Sequence, residues 1–280
     1  MTPAGGNRSD QKALDAAYDN VAAVPGSREW MARLRVDSAA FRVNLANRSY
    51  DIQWGSSAAH RWTLYPSGQT GAPCLIFIHG GYWQWNRPED FACLAGGLLA
   101  HGWSVAMPAH TLAPTASLTR IVGELEGALD WLARHGGTYG LVGPHVVSGW
   151  SAGGTLAALL LDHPLITAGL CISGIYDLAP LQRTYLNAAL NLSEQEIERF
   201  SPLRNDPSPK SLCIAFGTHE LPVFGKDATA LHALRASRQC PTTLLPVRQA
   251  DHFRILDALR APDGLLTRRL METTASSTSP

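Results

Sequence analysis

The stretch Leu141-Val142-Gly143-Pro144-His145-Val146-Val147-Ser148-Gly149-Trp150-Ser151-Ala152-Gly153-Gly154, with the apolar run Thr155 to Leu161 after it, decides the fold. It reads as a strand, a sharp turn and a helix. The turn carries Gly-x-Ser-x-Gly, which holds a serine hydroxyl clear of the sheet at the start of a helix. Ser151 is therefore predicted as a nucleophile rather than a surface hydroxyl. A lone Gly-x-Ser-x-Gly also arises by chance, so the reading depends on partners elsewhere in the chain.

Outward from the elbow, strand and helix signals alternate. Cys74 to Ile78 is continuously apolar, as in a strand covered on both faces. Further strands are expected over Trp103 to Met107, 141–148, Ala168 to Ser173, Leu212 to Phe216 and Thr243 to Val247. Helical spacing falls between them over Glu89 to Ala100, Leu118 to Arg134, Ala152 to Leu161 and Lys226 to Ala236. That order predicts a mostly parallel sheet with helices on both faces. Ahead of it, 10–42 reads as helices broken near Pro25-Gly26, and Arg48 to Trp54 and Arg61 to Tyr65 read as two strands. The chain is expected to be one domain over 1–270, with a small lid at about 177–210 and a disordered Ser/Thr-rich tail over 271–280.

Composition narrows the function. The 280 residues are 45% hydrophobic and carry 23 basic against 23 acidic groups, which leaves no field for nucleic acid or an anionic membrane. The first twenty residues are polar, no run is long enough to span a bilayer, and the five cysteines lack CxxC spacing. A cytoplasmic protein with reduced structural thiols, no metal and no cofactor is expected. The oligomeric state is left open, a homodimer among the options.

A serine nucleophile needs a base, and the base needs an orienting acid. In α/β-hydrolases both follow the serine, in the order acid then histidine, in loops after later strands. Glu220 follows the strand ending at Gly217, and His252 follows the strand ending at Val247. We assign Glu220 as acid and His252 as base. His219, Asp251 and Asp227 are neighbouring rivals. His79-Gly80-Gly81-Tyr82-Trp83 directly follows the first core strand, where glycines free backbone N–H groups to face a reacting carbonyl. The N–H groups of Gly81, Tyr82 and Ala152 are the candidate oxyanion hole. Tyr82, Trp83, Trp150 and Tyr176 are expected to line an aromatic substrate pocket, with Arg87 or Arg183 as conceivable anchors for a carboxylate.

His-Gly-Gly-Tyr-Trp followed by Gly-Trp-Ser-Ala-Gly-Gly resembles the kynurenine formamidase (arylformamidase) group of α/β-hydrolases, on the esterase/lipase branch with a His-Gly-Gly loop. Tyr18-Asp19-Asn20 through Val24-Pro25, His110 to Pro114, Ser173 to Leu178 and Ser201-Pro202-Leu203 extend the resemblance over roughly residues 12–260. Glu220 and His252-Phe253 sit where that group carries its acid and base. Thr218 stands where a second glycine is expected, and His110 where tyrosine is frequent. The resemblance implies a metal-independent serine hydrolase of a small aryl amide, N-formylkynurenine or a related N-acyl arylamine such as an N-acylanthranilate. The alternatives are a carboxylesterase for small aryl or alkyl esters and, from another class, a non-catalytic small-molecule receptor.

Overall fold

Side-chain alternation along the strands dictates a two-faced sheet. In the computed structural model, which describes residues 8–45 and 49–275, eight strands form one sheet in the order β1-β2-β4-β3-β5-β6-β7-β8. They are β1 (Tyr50–Gln53), β2 (Arg61–Tyr65), β3 (Cys74–Ile78), β4 (Ser104–Pro108), β5 (His145–Trp150), β6 (Ile166–Ile172), β7 (Ser211–Gly217) and β8 (Thr242–Val247). β2 pairs antiparallel with β1 and β4, and every other pairing is parallel. This is the architecture of the α/β-hydrolases. Arg48, expected to begin the first strand, lies outside the described residues.

Eleven α-helices of the described residues surround the sheet: α1 (Arg8–Ala16), α2 (Asn20–Ala23), α3 (Ser27–Asn44), α4 (Ala95–Leu99), α5 (Leu118–His135), α6 (Ala152–Leu159), α7 (Asn187–Leu190), α8 (Glu194–Phe200), α9 (Pro222–Ser237), α10 (Asp257–Arg260) and α11 (Leu265–Ala275). Successive strand residues point to opposite faces. Ile76, Val147, Cys171 and Ile214 therefore enter one apolar layer with α5, α6, α8 and α9. Leu75, Phe77, Val146, Leu170 and Ala215 enter the other, with α3, α4, α10 and α11.

Three expectations change. The helix expected over Glu89 to Ala100 is a 3-10 segment, Pro88–Leu94, continued by the short α4. The strand expected from Leu141 starts only at His145, because Gly143 lies hard against the carbonyls of Gly71 and Ala72 and Pro144 has no N–H to give a ladder. Residues 271–275, assigned to a disordered tail, extend α11, which is anchored by the buried Leu266 and Leu270 one turn apart. The remainder of that tail lies outside the described residues.

The segment expected as a lid folds as 3-10 turns with α7 and α8, and its Leu178, Leu181, Leu186 and Phe200 are buried in the main core. It is tied to α1 as well. Tyr185 N–H donates to Asp15 at 2.9 Å, and the Gln11 side chain donates to the Arg183 carbonyl at 2.7 Å. Among the described residues, no helix is long and apolar enough to cross a membrane.

Candidate active site

β5 ends and α6 begins within one residue. Ser151 makes this possible by taking φ 57° and ψ −124°, a left-handed backbone that costs a non-glycine residue energy. Its N–H donates to the Ile172 carbonyl at 2.8 Å, which pins the turn to β6. Side chains are excluded on both flanks. A Cβ on Gly149 would run into the Gly153 carbonyl, and one on Gly153 into the carbonyls of Ile78 and His79. The Gly-x-Ser-x-Gly spacing is thus a packing requirement of this turn.

Three side chains from three loops meet there. Ser151 Oγ lies 3.0 Å from His252 Nε2, and His252 Nδ1 lies 2.8 Å from Glu220 Oε2. With Nδ1–H donating to the carboxylate, Nε2 is free to accept the serine proton. The second carboxylate oxygen, Glu220 Oε1, accepts from Ser173 Oγ at 2.6 Å and from the Gly217 N–H at 2.5 Å. The side chains of His252 and Glu220 are 3% and 1% exposed, so bulk water cannot replace these partners.

The loops carrying Glu220 and His252 are stapled together. Thr218 N–H donates to the Val247 carbonyl, His219 N–H to the Ala250 carbonyl, and Gln249 N–H to Thr218 Oγ1 at 2.9 Å. Thr218, where a glycine was expected, supplies that last link through its hydroxyl. The rivals fall elsewhere. The His219 side chain is exposed. Asp251 accepts from the N–H groups of Phe253 and Arg254 and pairs with the Arg254 guanidinium. Asp227 accepts from the N–H groups of Tyr176 and Asp177, and burial pushes its carboxyl above the usual range.

The His79–Trp83 loop turns over Ser151. Gly81 takes φ 119°, followed by Tyr82 at 50° and Trp83 at 58°. Among the described residues, the N–H groups of Gly81, Tyr82 and Ala152 donate to no other group. The Gly80 carbonyl is held from behind: Asn86 Nδ2 donates to it at 3.0 Å, and Arg35 donates to Asn86 Oδ1 at 3.0 Å. His79 packs against neighbouring rings. It is buried between Phe91 and His110, stacked on the latter at 4.7 Å between ring centres. Burial lowers His79 to about 4 from its ordinary 6.5, and burial beside His79 lowers His110 to about 3, so both imidazoles are neutral.

Ser151 and His252 open on a cavity of about 610 Å³. Of the four expected lining residues, Tyr82 and Trp150 border it. The Tyr82 hydroxyl donates to the Tyr18 carbonyl at 2.6 Å and accepts from Asn20 at 3.2 Å. Trp83 and Tyr176 do not border it; they are 1% and 0% exposed and fill the apolar layer beneath α5 and α6. The reason is burial: two large aromatic rings are more stable packed in the apolar layer than open to water. Arg87 and Arg183 also lie off the cavity. Its walls come instead from Asn20, Arg28, Met31 and Arg35 of α2 and α3, from Trp85 and Asn86, from Tyr185, and from Phe253. Arg28, Met31 and Arg35 recur at helical spacing, the signal in the sequence that could have found this wall.

The chain has the α/β-hydrolase fold, and the known proteins it resembles are hydrolases. It is similar to the kynurenine formamidase of Danio rerio, with 26% identity over 238 residues covering 79% of this chain and 80% of that one. A solved Silicibacter protein provisionally described as a thioesterase superposes with a TM-score of 0.81 at 27% identity, covering 91% of this chain and 97% of that one. An esterase from Pyrobaculum calidifontis superposes with a TM-score of 0.71 at 17% identity, covering 98% of this chain and all of the other, and supports the fold alone. A family model described as BD-FAE matches residues 63–162.

Proposed function

We propose that the protein is a serine hydrolase that cleaves a small aryl amide, N-formylkynurenine or a related N-acyl arylamine, through an acyl-enzyme. The observation that carries this is the continuous hydrogen-bonded line from Ser151 through His252 to Glu220, ending in a cavity walled by Trp85, Trp150, Tyr185 and Phe253. Similarity to kynurenine formamidases along four-fifths of the chain supports the substrate class.

Ser151 attacks the acyl carbon while His252 takes its proton. The N–H groups of Gly81, Tyr82 and Ala152 hold the oxyanion, in a geometry fixed before substrate arrives. His252 then protonates the departing aniline nitrogen, and Glu220 stabilises the imidazolium throughout. Water activated by the same histidine clears the acyl group. An anilide suits this site because its nitrogen lone pair is shared with the ring, which weakens the amide and eases departure. Arg28 and Arg35 give the cavity donors for a carboxylate on the leaving group. A cytoplasmic setting agrees with four buried free thiols, Cys74, Cys93, Cys171 and Cys213.

Turnover of N-formyl anilides against matched aryl esters tests the reading, with Ser151→Ala as the control. We expect the anilides to be cleaved and the variant to lose about 10⁴-fold or more in kcat. Retained activity in Ser151→Ala, or turnover of esters alone, overturns it.

A further inference from the structure

We propose that Ser173 is a positioning residue for the relay, holding the Glu220 carboxylate aimed at His252. The inference rests on Glu220 acting as the acid.

The Glu220 carboxylate is buried, and among the described residues no lysine or arginine pairs with it. A buried charge in that position must be met by hydrogen-bond donors. The structure supplies three. His252 Nδ1 takes Oε2, while Ser173 Oγ and the Gly217 N–H converge on Oε1 at 2.6 and 2.5 Å. The Gly217 amide is fixed backbone. Among the described residues, Ser173 is therefore the one side chain, apart from His252 itself, that solvates the carboxylate. Two donors on one oxygen also set the plane of the group, so that the other oxygen faces Nδ1.

The backbone at Ser173 strengthens the case. The residue is 1% exposed and sits at φ 52°, with its N–H given to the Ala215 carbonyl at 2.8 Å. Glycine would occupy that conformation without strain. Serine bears the strain, and the hydroxyl spent on Glu220 is what glycine lacks. Ser173 closes β6 as Ser151 closes β5. Two adjacent parallel strands thus each end in a strained serine, one at each end of the same hydrogen-bonded line.

The test is a pair of variants, Ser173→Gly and Ser173→Ala, in the full-length chain, with Glu220→Gln alongside. The substrate is an N-formyl anilide or its matched aryl ester, whichever is turned over. Kinetics are measured across pH, and melting temperatures in parallel. We expect both Ser173 variants to lose about 10- to 100-fold in kcat, the worth of a hydrogen bond to a charged group, with KM changed less than about twofold. The acidic limb of the rate profile should move to higher pH. A carboxylate short of a donor is harder to keep ionised, and it holds the His252 proton more tightly. Ser173→Gly should melt above Ser173→Ala, because relief of the backbone strain offsets part of the stability lost with the hydrogen bond. A structural role predicts the opposite pattern, in which Ser173→Gly keeps parental kcat and an unmoved acidic limb. That result, with Glu220→Gln impaired, overturns the proposal alone. A fully active Glu220→Gln removes the assignment of the acid, and the role of Ser173 with it.

Discussion

The indole N–H of Trp150 donates to the backbone carbonyl of His252 at 2.7 Å, and the two rings lie 5.0 Å apart. Trp150 thereby ties the turn at Ser151 to the loop that carries His252. Phe91 and Phe253 pack around the same indole, so its orientation is set from several sides. Trp150 is both a wall of the cavity and a tie between two parts of the relay.

Replacing Trp150 with Phe keeps an aromatic ring and removes the donor. The His252 carbonyl is then left unpaired in a buried setting, at a cost of about 1–3 kcal/mol. We expect a loss of stability of that order in urea unfolding and a fall in kcat of about tenfold. Unchanged stability and turnover would show that the bond is dispensable.

Asn86 links α3 to the oxyanion loop, through Arg35 on one side and the Gly80 carbonyl on the other. Asn86→Ala frees the loop whose N–H groups are proposed to meet the oxyanion. Amide and ester substrates pass through the same tetrahedral charge, so kcat should fall about tenfold or more for both. A loss confined to one substrate class would contradict this account.

Arg28 borders the cavity, is exposed and, among the described residues, has no hydrogen-bond or ion-pair partner. N-formylanthranilate and N-formylaniline differ by one carboxylate. The ratio of their kcat/KM values should favour the anion in the parent and drop by about tenfold in Arg28→Ala, as expected for one charge-assisted contact. Arg28→Glu should push the ratio lower still. A ratio insensitive to both changes would place the carboxylate elsewhere.

The stacked pair His79–His110 makes stability depend on pH. Both imidazoles are held below their ordinary 6.5, at about 4 and about 3, so unfolding takes up protons in acid. The contribution of the neutral pair is whole above pH 6.5 and is lost as pH falls from there towards those lower values. Each group adds up to about 1.4 kcal/mol per pH unit to the slope. Urea midpoints should therefore drop between pH 7 and pH 5. A flat dependence in that range would contradict the buried neutral state.

Much of the core was legible because its signals are local. Cys74 to Ile78 and Leu212 to Phe216 are apolar runs bounded by turn residues, and each forms a strand within a residue or so of the expected limits. The order of serine, glutamate and histidine was legible because each follows a strand. The rings of Trp83 and Tyr176 were misplaced for a different reason. Loop membership says that a side chain is near the site, but long-range packing decides which way it turns, and both rings pack into the apolar layer. The α2–α3 wall was also missed. Arg28, Met31 and Arg35 form an ordinary-looking stripe on a helix, and only long-range packing reveals what that stripe faces.

That wall has an evolutionary consequence. The groups proposed to break the bond are anchored to β3, β5, β7 and β8, whereas Arg28, Met31 and Arg35 belong to a helix that precedes the entire sheet. Part of the proposed selectivity is thus encoded in a stretch of the chain apart from the proposed chemistry. Drift or exchange in the first forty-five residues can retarget the enzyme while the hydrolytic apparatus is inherited intact. A chimera carrying the leading helices of a relative is the natural way to transplant its taste for substrate.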